Sequence, residues 1–365
     1  MNKLKVIQLL PELNIGGVER GTKDFSSALV QRGHESIVIS NGGIFEHDIV
    51  KDGARHIKIP IHKKSLFSLL LSKKLRTVYE EEKPDIVHVR SRMPAWINFY
   101  AFKRLIKKPI LISTFHGLYS TPVYSKVMSK VDHMIAISNT VKEYIKNTYN
   151  VSNDKISVIP RGCDMDHFNK DQVDNDWINE WFREFPQTKN KIILTLPTRI
   201  SKWKGVDNFI ELISRLDGNV FHGLIVGPTS NSKLRYLNSL KKKISELGIN
   251  KSITFTGSRN DISNIYKISD IVFNLSIDPE PFGRTTIEAI SCGAKFIGWD
   301  HGGTKEILEE LFPNGLVPLG NINALEEKVI KVSDKNYLTP KENVFTSERM
   351  INETINLYHQ LLSTE

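Results

Sequence analysis

Cysteine is scarce. The two thiols, Cys163 and Cys292, stand far apart and without metal-ligand spacing. That excludes a disulfide framework and a cysteine-based zinc site, and it fits reduced thiols in a cytoplasmic protein. No apolar run approaches the roughly 18–20 residues that a spanning helix needs. The first residues, Met1-Asn2-Lys3-Leu4-Lys5-Val6, lead straight into a strand-like segment with no signal-peptide core or cleavage site. No G-x-G-x-x-G string follows the first strand, so a nicotinamide cofactor is a poor reading. No Asp-x-Asp pair stands at a convincing strand end, so metal independence is expected. Zinc-finger spacing and RNP-type strings are missing too, which leaves nucleic acid supported by basic charge alone.

What is present suits a globular chain. Apolar content of 40% and charged content of 25% over 365 residues are ordinary values, and the length suits two domains. Net charge is +9 and uneven: residues 1–165 hold 26 Lys and Arg against 15 Asp and Glu, while residues 166–365 hold 24 against 26. A basic first half should face something anionic. Within it, residues 61–76 combine Leu66-Phe67-Ser68-Leu69-Leu70-Leu71 with Lys63, Lys64, Lys73, Lys74 and Arg76. This stretch reads either as an interfacial helix on anionic lipid or as a domain helix with basic ends.

Short apolar runs alternate with helical spacing, the mark of parallel α/β architecture. Strands are predicted at 6–10, 36–39, 85–89, 110–114, 133–137 and 156–159. A second series follows at 192–196, 223–226, 252–255, 271–275 and 295–298. Helices are predicted at 18–32, ended by Gly33, and from Ser138 as N-cap through Tyr149. Others fall at 206–216, 231–247, 261–268, 285–292, 322–332 and 347–362. Residues 163–190 are polar and read as the interdomain linker.

The chemistry collects after strands, where an open parallel sheet binds ligands. Gly16-Gly17-Val18-Glu19-Arg20 opens a helix after the first strand. Glycines there admit close backbone approach, and helix N-terminal N–H groups favour phosphate. Arg199 and Lys204-Gly205 follow the first strand of the second half, and two fixed cations there suit a diphosphate. Arg259 stands in a further loop, with Asp261 a candidate helix N-cap. His116 and the pair Arg90 and Arg92 follow two strands of the first half. The arginines could grip a phosphate or carboxylate, or could be plain surface charge. Pro279-Glu280-Pro281-Phe282-Gly283-Arg284-Thr285-Thr286-Ile287-Glu288 places two carboxylates eight positions apart around a tight loop, the second in the first turns of a helix. Gly302-Gly303 is a second glycine loop, expected to line the cleft.

That last carboxylate string resembles the E-x7-E signature of retaining glycosyltransferases of family 4. The resemblance extends from Gly16 to the final helix, and it departs at Arg284, where much of the family has an apolar residue. A subset that builds bacterial lipopolysaccharide core looks closer. The resemblance implies the GT-B fold: two Rossmann-like domains, 1–165 and 166–345, facing each other across a cleft, with the helix at 346–365 crossing back to the first. It implies a nucleotide-diphospho-sugar donor, no cofactor and no metal. Glu280, His116, Arg199 and Lys204 would be catalytic. Gly16, Gly17, Arg259, Phe282, Gly283, Arg284, Thr285 and Glu288 would join Arg199, Lys204 and Glu280 in holding the donor. Arg90 and Arg92 would meet an anionic saccharide or lipid-linked acceptor. The expected place is the cytoplasm, with a peripheral seat on the inner face of the cytoplasmic membrane left open. A GT-B nucleotide-sugar 2-epimerase and a non-catalytic nucleotide-sugar-binding protein remain alternatives.

Overall fold

A computed structural model describes residues 2–334 and 336–363. The chain divides into two compact units, Met1–Pro160 with Glu348–Glu365, and Arg161–Ser347.

The first unit is built on seven strands: β1 Lys5–Leu9, β2 Glu35–Ser40, β3 Arg55–Lys58, β4 Ile86–Val89, β5 Ile110–Phe115, β6 His133–Ala136 and β7 Ile156–Val158. They lie in the order β3-β2-β1-β4-β5-β6-β7. Every pairing is parallel, with Ile7 opposite both Ile37 and Val87. A parallel sheet is covered on both faces, which explains why β4 and β5 are apolar-rich and buried throughout. The helix Gly17–Gln31 ends where Gly33 takes a φ of 82°. The His34 and Gly33 N–H groups there bond the Leu29 and Val30 carbonyls, closing its last turn. The last helix, Ser347–Ser363, packs Ile351, Ile355 and Tyr358 against Phe25, Leu29, Ile86 and Ile112. Those three residues recur at helical spacing, so one stripe faces the sheet. Tyr358 is fully buried, and its hydroxyl lies 2.6 Å from His88 Nδ1. The other ring nitrogen, Nε2, lies 2.6 Å from Thr114 Oγ1.

The second unit carries six strands: β8 Ile192–Pro197, β9 Phe221–Val226, β10 Ile253–Gly257, β11 Ile271–Asn274, β12 Lys295–Trp299 and β13 Leu316–Val317. Their order is β10-β9-β8-β11-β12-β13, again parallel. The helix Val206–Arg215 buries Phe209, Ile210, Leu212 and Ile213, with Phe209 edge-on to Phe273 at 5.5 Å.

Three readings from sequence are corrected. Residues 163–190 are not a linker. Asp174 caps a helix, Asn175–Glu184, by accepting from the Asp176 N–H at 2.7 Å. Trp181 and Phe185 then join Ile193, Leu224 and Ile265 in the core of the second unit. Cys163 is tied to the same unit through Phe345 and Ser347 at 2.8 and 2.9 Å, so the break falls at Pro160 rather than at residue 165. Residues 61–76 do not form a single helix: a 3₁₀ turn, Leu66–Leu70, precedes a helix at Leu71–Glu82. Strands β3 and β13 were not foreseen, because Arg-His-Ile-Lys and a two-residue Leu-Val carry little apolar signal.

Buried histidines make stability depend on pH. Burial holds His88 well below its ordinary range and pushes His222 down to about 4, with Lys191 adding to the second shift. The unfolded chain takes up these protons first, so their contribution is complete above the unfolded pKa and declines as pH falls toward the folded value. We expect the urea midpoint to decline between about pH 6.5 and 4.5, and His222→Asn to make that decline shallower. Tyr358→Phe, which leaves His88 short of a partner, should cost about 1–3 kcal/mol by the same measurement at neutral pH.

Candidate active site

In each sheet the strand order turns around once, between β1 and β4 and between β8 and β11. Loops leave in opposite directions there and open a crevice at the carboxyl ends. In the second unit that crevice is a cavity of about 210 Å³ lined by Thr198, Arg199, Lys204, Asn274, Ser276 and Thr285, among others. Arg199 follows β8 and is exposed. Lys204 closes a 3₁₀ turn, Lys202–Lys204, stacked 4.0 Å over the Trp203 ring. Gly205 then takes a φ of 69°, and a side chain there would run into the Leu275 carbonyl. This contact brings the Lys204 turn onto the end of β11.

Glu280 stands on the loop beyond β11. One of its oxygens, Oε1, pairs with Lys204 Nζ and accepts from Ser276 Oγ at 2.7 Å. Both charged side chains are mostly buried, 17% and 13% exposed. Removing either partner would therefore strand a charge with little water around it. Ser276 is itself fixed: its N–H donates to Asn274 Oδ1 at 3.1 Å, and its carbonyl lies 2.8 Å from His301 Nε2. Behind the loop, Gly303 donates its N–H to the Glu280 carbonyl at 2.7 Å, and any Cβ at Gly303 would strike Phe282. The second glycine pair thus buttresses the Glu280 loop as the start of the helix Gly302–Leu311.

The helix Arg284–Ser291 starts at Gly283, and Thr285 reaches the cavity from its first turn. Glu288 faces inward and accepts from Arg284 Nη2 at 2.8 Å across one turn. Phe282 is buried edge-on to Phe345, so only its backbone is available to a ligand. Two buried hydroxyls, Thr286 Oγ1 and Thr304 Oγ1, have no hydrogen-bond partner and flank Gly283. Unsatisfied buried hydroxyls are uncommon in a native fold, and these two stand at two helix starts beside the Glu280 loop. Sequence reasoning missed them, along with Ser276 and His301. The adjacent Thr285-Thr286 at the helix start was the available signal.

Arg259 is placed differently from expectation. It binds Asp261 at 2.9 and 2.7 Å and Glu184 at 3.0 Å, over the rings of Trp181 and Phe185. The Asp261 bond, and then Glu184, raises its pKa further. Asp261 also accepts from Trp177 Nε1 at 2.9 Å and makes no side-chain cap bond, so this group braces the unit.

In the first unit the ends of β1, β4 and β5 are neighbours. Gly16, Gly17, Arg90, Arg92 and His116 therefore emerge along one edge. His116 directly follows β5 and donates its N–H toward Tyr119 Oη at 3.4 Å. Arg92 lies 4.9 and 5.5 Å over the rings of Tyr119 and Tyr124 and donates to Thr121 Oγ1 at 3.0 Å. Arg90 is not an exposed grip. It is 6% exposed, donates Nε–H to Gln8 Oε1 at 2.9 Å and covers the Phe25 ring.

The family profile described as Glycosyltransferase Family 4 matches residues 15–167, and that described as Glycosyl transferases group 1 matches 178–352. A crystal structure of a glycosyltransferase from Rickettsia africae ESF-5 is similar over the full length of both chains, with 30% identity and a TM-score of 0.84. The chain belongs to the family 4 glycosyltransferases, with the GT-B fold. The N-acetyl-alpha-D-glucosaminyl L-malate synthase of Bacillus anthracis is 24% identical, over 99% of this chain and 98% of that protein. The UDP-Gal:alpha-D-GlcNAc-diphosphoundecaprenol alpha-1,3-galactosyltransferase of Escherichia coli is 26% identical, over 98% and 97%.

Gly205→Ala should separate the Lys204 turn from β11. We expect a loss of at least about 2 kcal/mol, read as a lower melting point, since both φ and the Leu275 contact oppose a side chain.

Proposed function

We propose that this glycosyltransferase moves a sugar from a nucleotide-diphospho-sugar to a lipid-linked or saccharide acceptor, with retention at the anomeric carbon and without a metal. The pathway proposed is assembly of lipopolysaccharide core or surface polysaccharide. The observation that carries the reading is the cavity at the β8/β11 turnaround, lined by Arg199 and by Lys204, which pairs with Glu280. The Escherichia coli relative, whose name gives a UDP-sugar and a diphosphoundecaprenol-linked acceptor, supports the substrate classes.

The pairing of Lys204 with Glu280 suggests the order of events. An arriving diphosphate draws the ammonium onto its oxygens beside Arg199. Glu280 keeps Ser276 and turns its other oxygen to the sugar hydroxyls. The bond from the anomeric carbon to the diphosphate breaks, and the two cations carry the charge that develops on the leaving group. The acceptor hydroxyl attacks from that same face, its oxygen bonds to the anomeric carbon, and its proton passes to the departing phosphate. Glu280 orients the sugar while positive charge grows on its ring. Glu288, held by Arg284, accepts from ribose hydroxyls, and the backbone at Phe282 and Gly283 contacts sugar or phosphate. Arg92 is assigned to the acceptor.

The test begins with a thermal-shift screen of UDP-, GDP- and ADP-sugars. A true donor should raise the melting point in proportion to the logarithm of its concentration. With that donor, Arg199→Ala and Lys204→Ala should each reduce turnover on the order of 100- to 1000-fold while the chain stays folded. Near-normal turnover in both would remove the cation pair from the mechanism. Turnover of the nucleotide-sugar without any acceptor would point to an epimerase.

A further inference from the structure

One face of the first unit lies outside this reading. From residue 86 to residue 131 the sequence holds eight Lys and Arg and no Asp or Glu, and residues 61–76 add five more bases, again without an acid. The fold joins the two stretches. The 3₁₀ turn Leu66–Leu70 and the turn Lys126–Ser129 both pack against the helix Arg92–Phe102. Those elements and their connections also expose apolar side chains: Phe67 at 83%, Leu70 at 67%, Tyr100 at 39% and Val123 at 88%. Between them, Trp96 stacks on Tyr100 and on Tyr124, each at 6.4 Å, and donates Nε1–H to the Tyr124 carbonyl at 2.9 Å. Lys103 Nζ lies 4.6 Å over Phe99 and 5.6 Å over Tyr100.

We propose that this face seats the protein on an anionic lipid bilayer. Phe67, Leu70 and Val123 enter the acyl boundary, the Trp96–Tyr100–Tyr124 stack lies at headgroup depth, and Lys63, Lys64, Lys73, Lys103 and Lys126 meet the lipid phosphates. Charge of a single sign favours a lipid surface over a second copy of this chain, which would bring the same bases face to face. The apolar groups protrude singly between cations, the pattern of interfacial insertion. Trp and Tyr suit that depth because an apolar ring carries a polar tip. The proposal goes beyond the sugar-transfer reading and does not depend on it.

The full chain should sediment with vesicles of phosphatidylcholine and phosphatidylglycerol but not with phosphatidylcholine alone, and added salt should release it. The triple variant Phe67→Ser, Leu70→Ser, Val123→Ser should partition about tenfold less or weaker still, with an unchanged melting point, because all three side chains are already in water. Lys103→Glu with Lys126→Glu should weaken binding to the anionic vesicles. Leu319→Ser with Ile330→Ser, exposed apolar positions of the second unit, should bind as the parent does. Equal binding to both vesicle types would overturn the proposal, as would parental binding by the triple variant. So would a parent dimer in sedimentation velocity that the triple variant lacks, since a second copy would then cover the face.

Discussion

All strands in each sheet run one way, and in each sheet the order turns around once. That constraint places the chemistry. A parallel sheet covered on both faces admits polar side chains along its strands only when they find buried partners, as His88 and Thr114 do, so groups that must meet a ligand belong at the ends. Right-handed crossovers then carry successive connections to opposite faces on the two sides of a turnaround, leaving the carboxyl ends of the central strands uncovered. In the second unit these are the ends of β8 and β11, and the fold has placed there Arg199, Lys204, Ser276 and Glu280. Gly205 and Gly303 supply the close approaches that hold the two loops together, one against Leu275 and the other against Phe282.

The ion pair that Lys204 makes at that cavity answers an electrostatic problem. A site for a diphosphate needs cations, and a site for sugar hydroxyls needs an acceptor. Each charge is costly to bury alone. Pairing Lys204 with Glu280 neutralises both, and Ser276 fixes the carboxylate. Arg284 with Glu288 repeats the device one helical turn away. The cation at a helix start is otherwise unfavourable, and the bond to Glu288 offsets it.

Much of this was legible in the sequence because strong local patterns coincide with buried elements. Eleven strands were found from continuous apolar runs, and the helix-ending Gly33 and the N-cap Ser138 were found from local chemistry. Failures came where the deciding partner is remote. Arg259 reads as a free loop cation until Glu184, 75 positions earlier, folds beside it. The stretch at 163–190 looks polar because its apolar residues are few, yet Trp177, Trp181 and Phe185 are large enough to anchor it. Strand β3 is an edge strand with one apolar residue, so its neighbour β2 decides its state. The Lys204–Glu280 contact spans 76 positions, and spacing alone could only suggest that both ends face the same ligand.

Arg90 and Arg199 make the physical difference plain. Both follow a central parallel strand and both look like anion grips. After β4 only Arg90 and Ser91 precede the next helix, and the Arg90 N–H still extends the ladder by donating to the Leu9 carbonyl at 2.9 Å. A connection that short keeps the backbone against the sheet, so the side chain folds back over Phe25 and finds Gln8. After β8 eight residues intervene before the helix at Val206, including a 3₁₀ turn that lifts the chain away. The backbone on either side of Arg199 stays bonded to the chain beside it, Thr198 N–H to the Val226 carbonyl at 2.8 Å and Ile200 N–H to the Pro228 carbonyl at 3.1 Å, yet its side chain is exposed at the mouth of the cavity. Local partners, rather than residue type, decide which arginine is available to a ligand: Gln8 and Phe25 occupy Arg90. The same comparison favours Arg92 over Arg90 in the first unit, because Arg90 is buried against Gln8 and Phe25 while Arg92 is only half-buried.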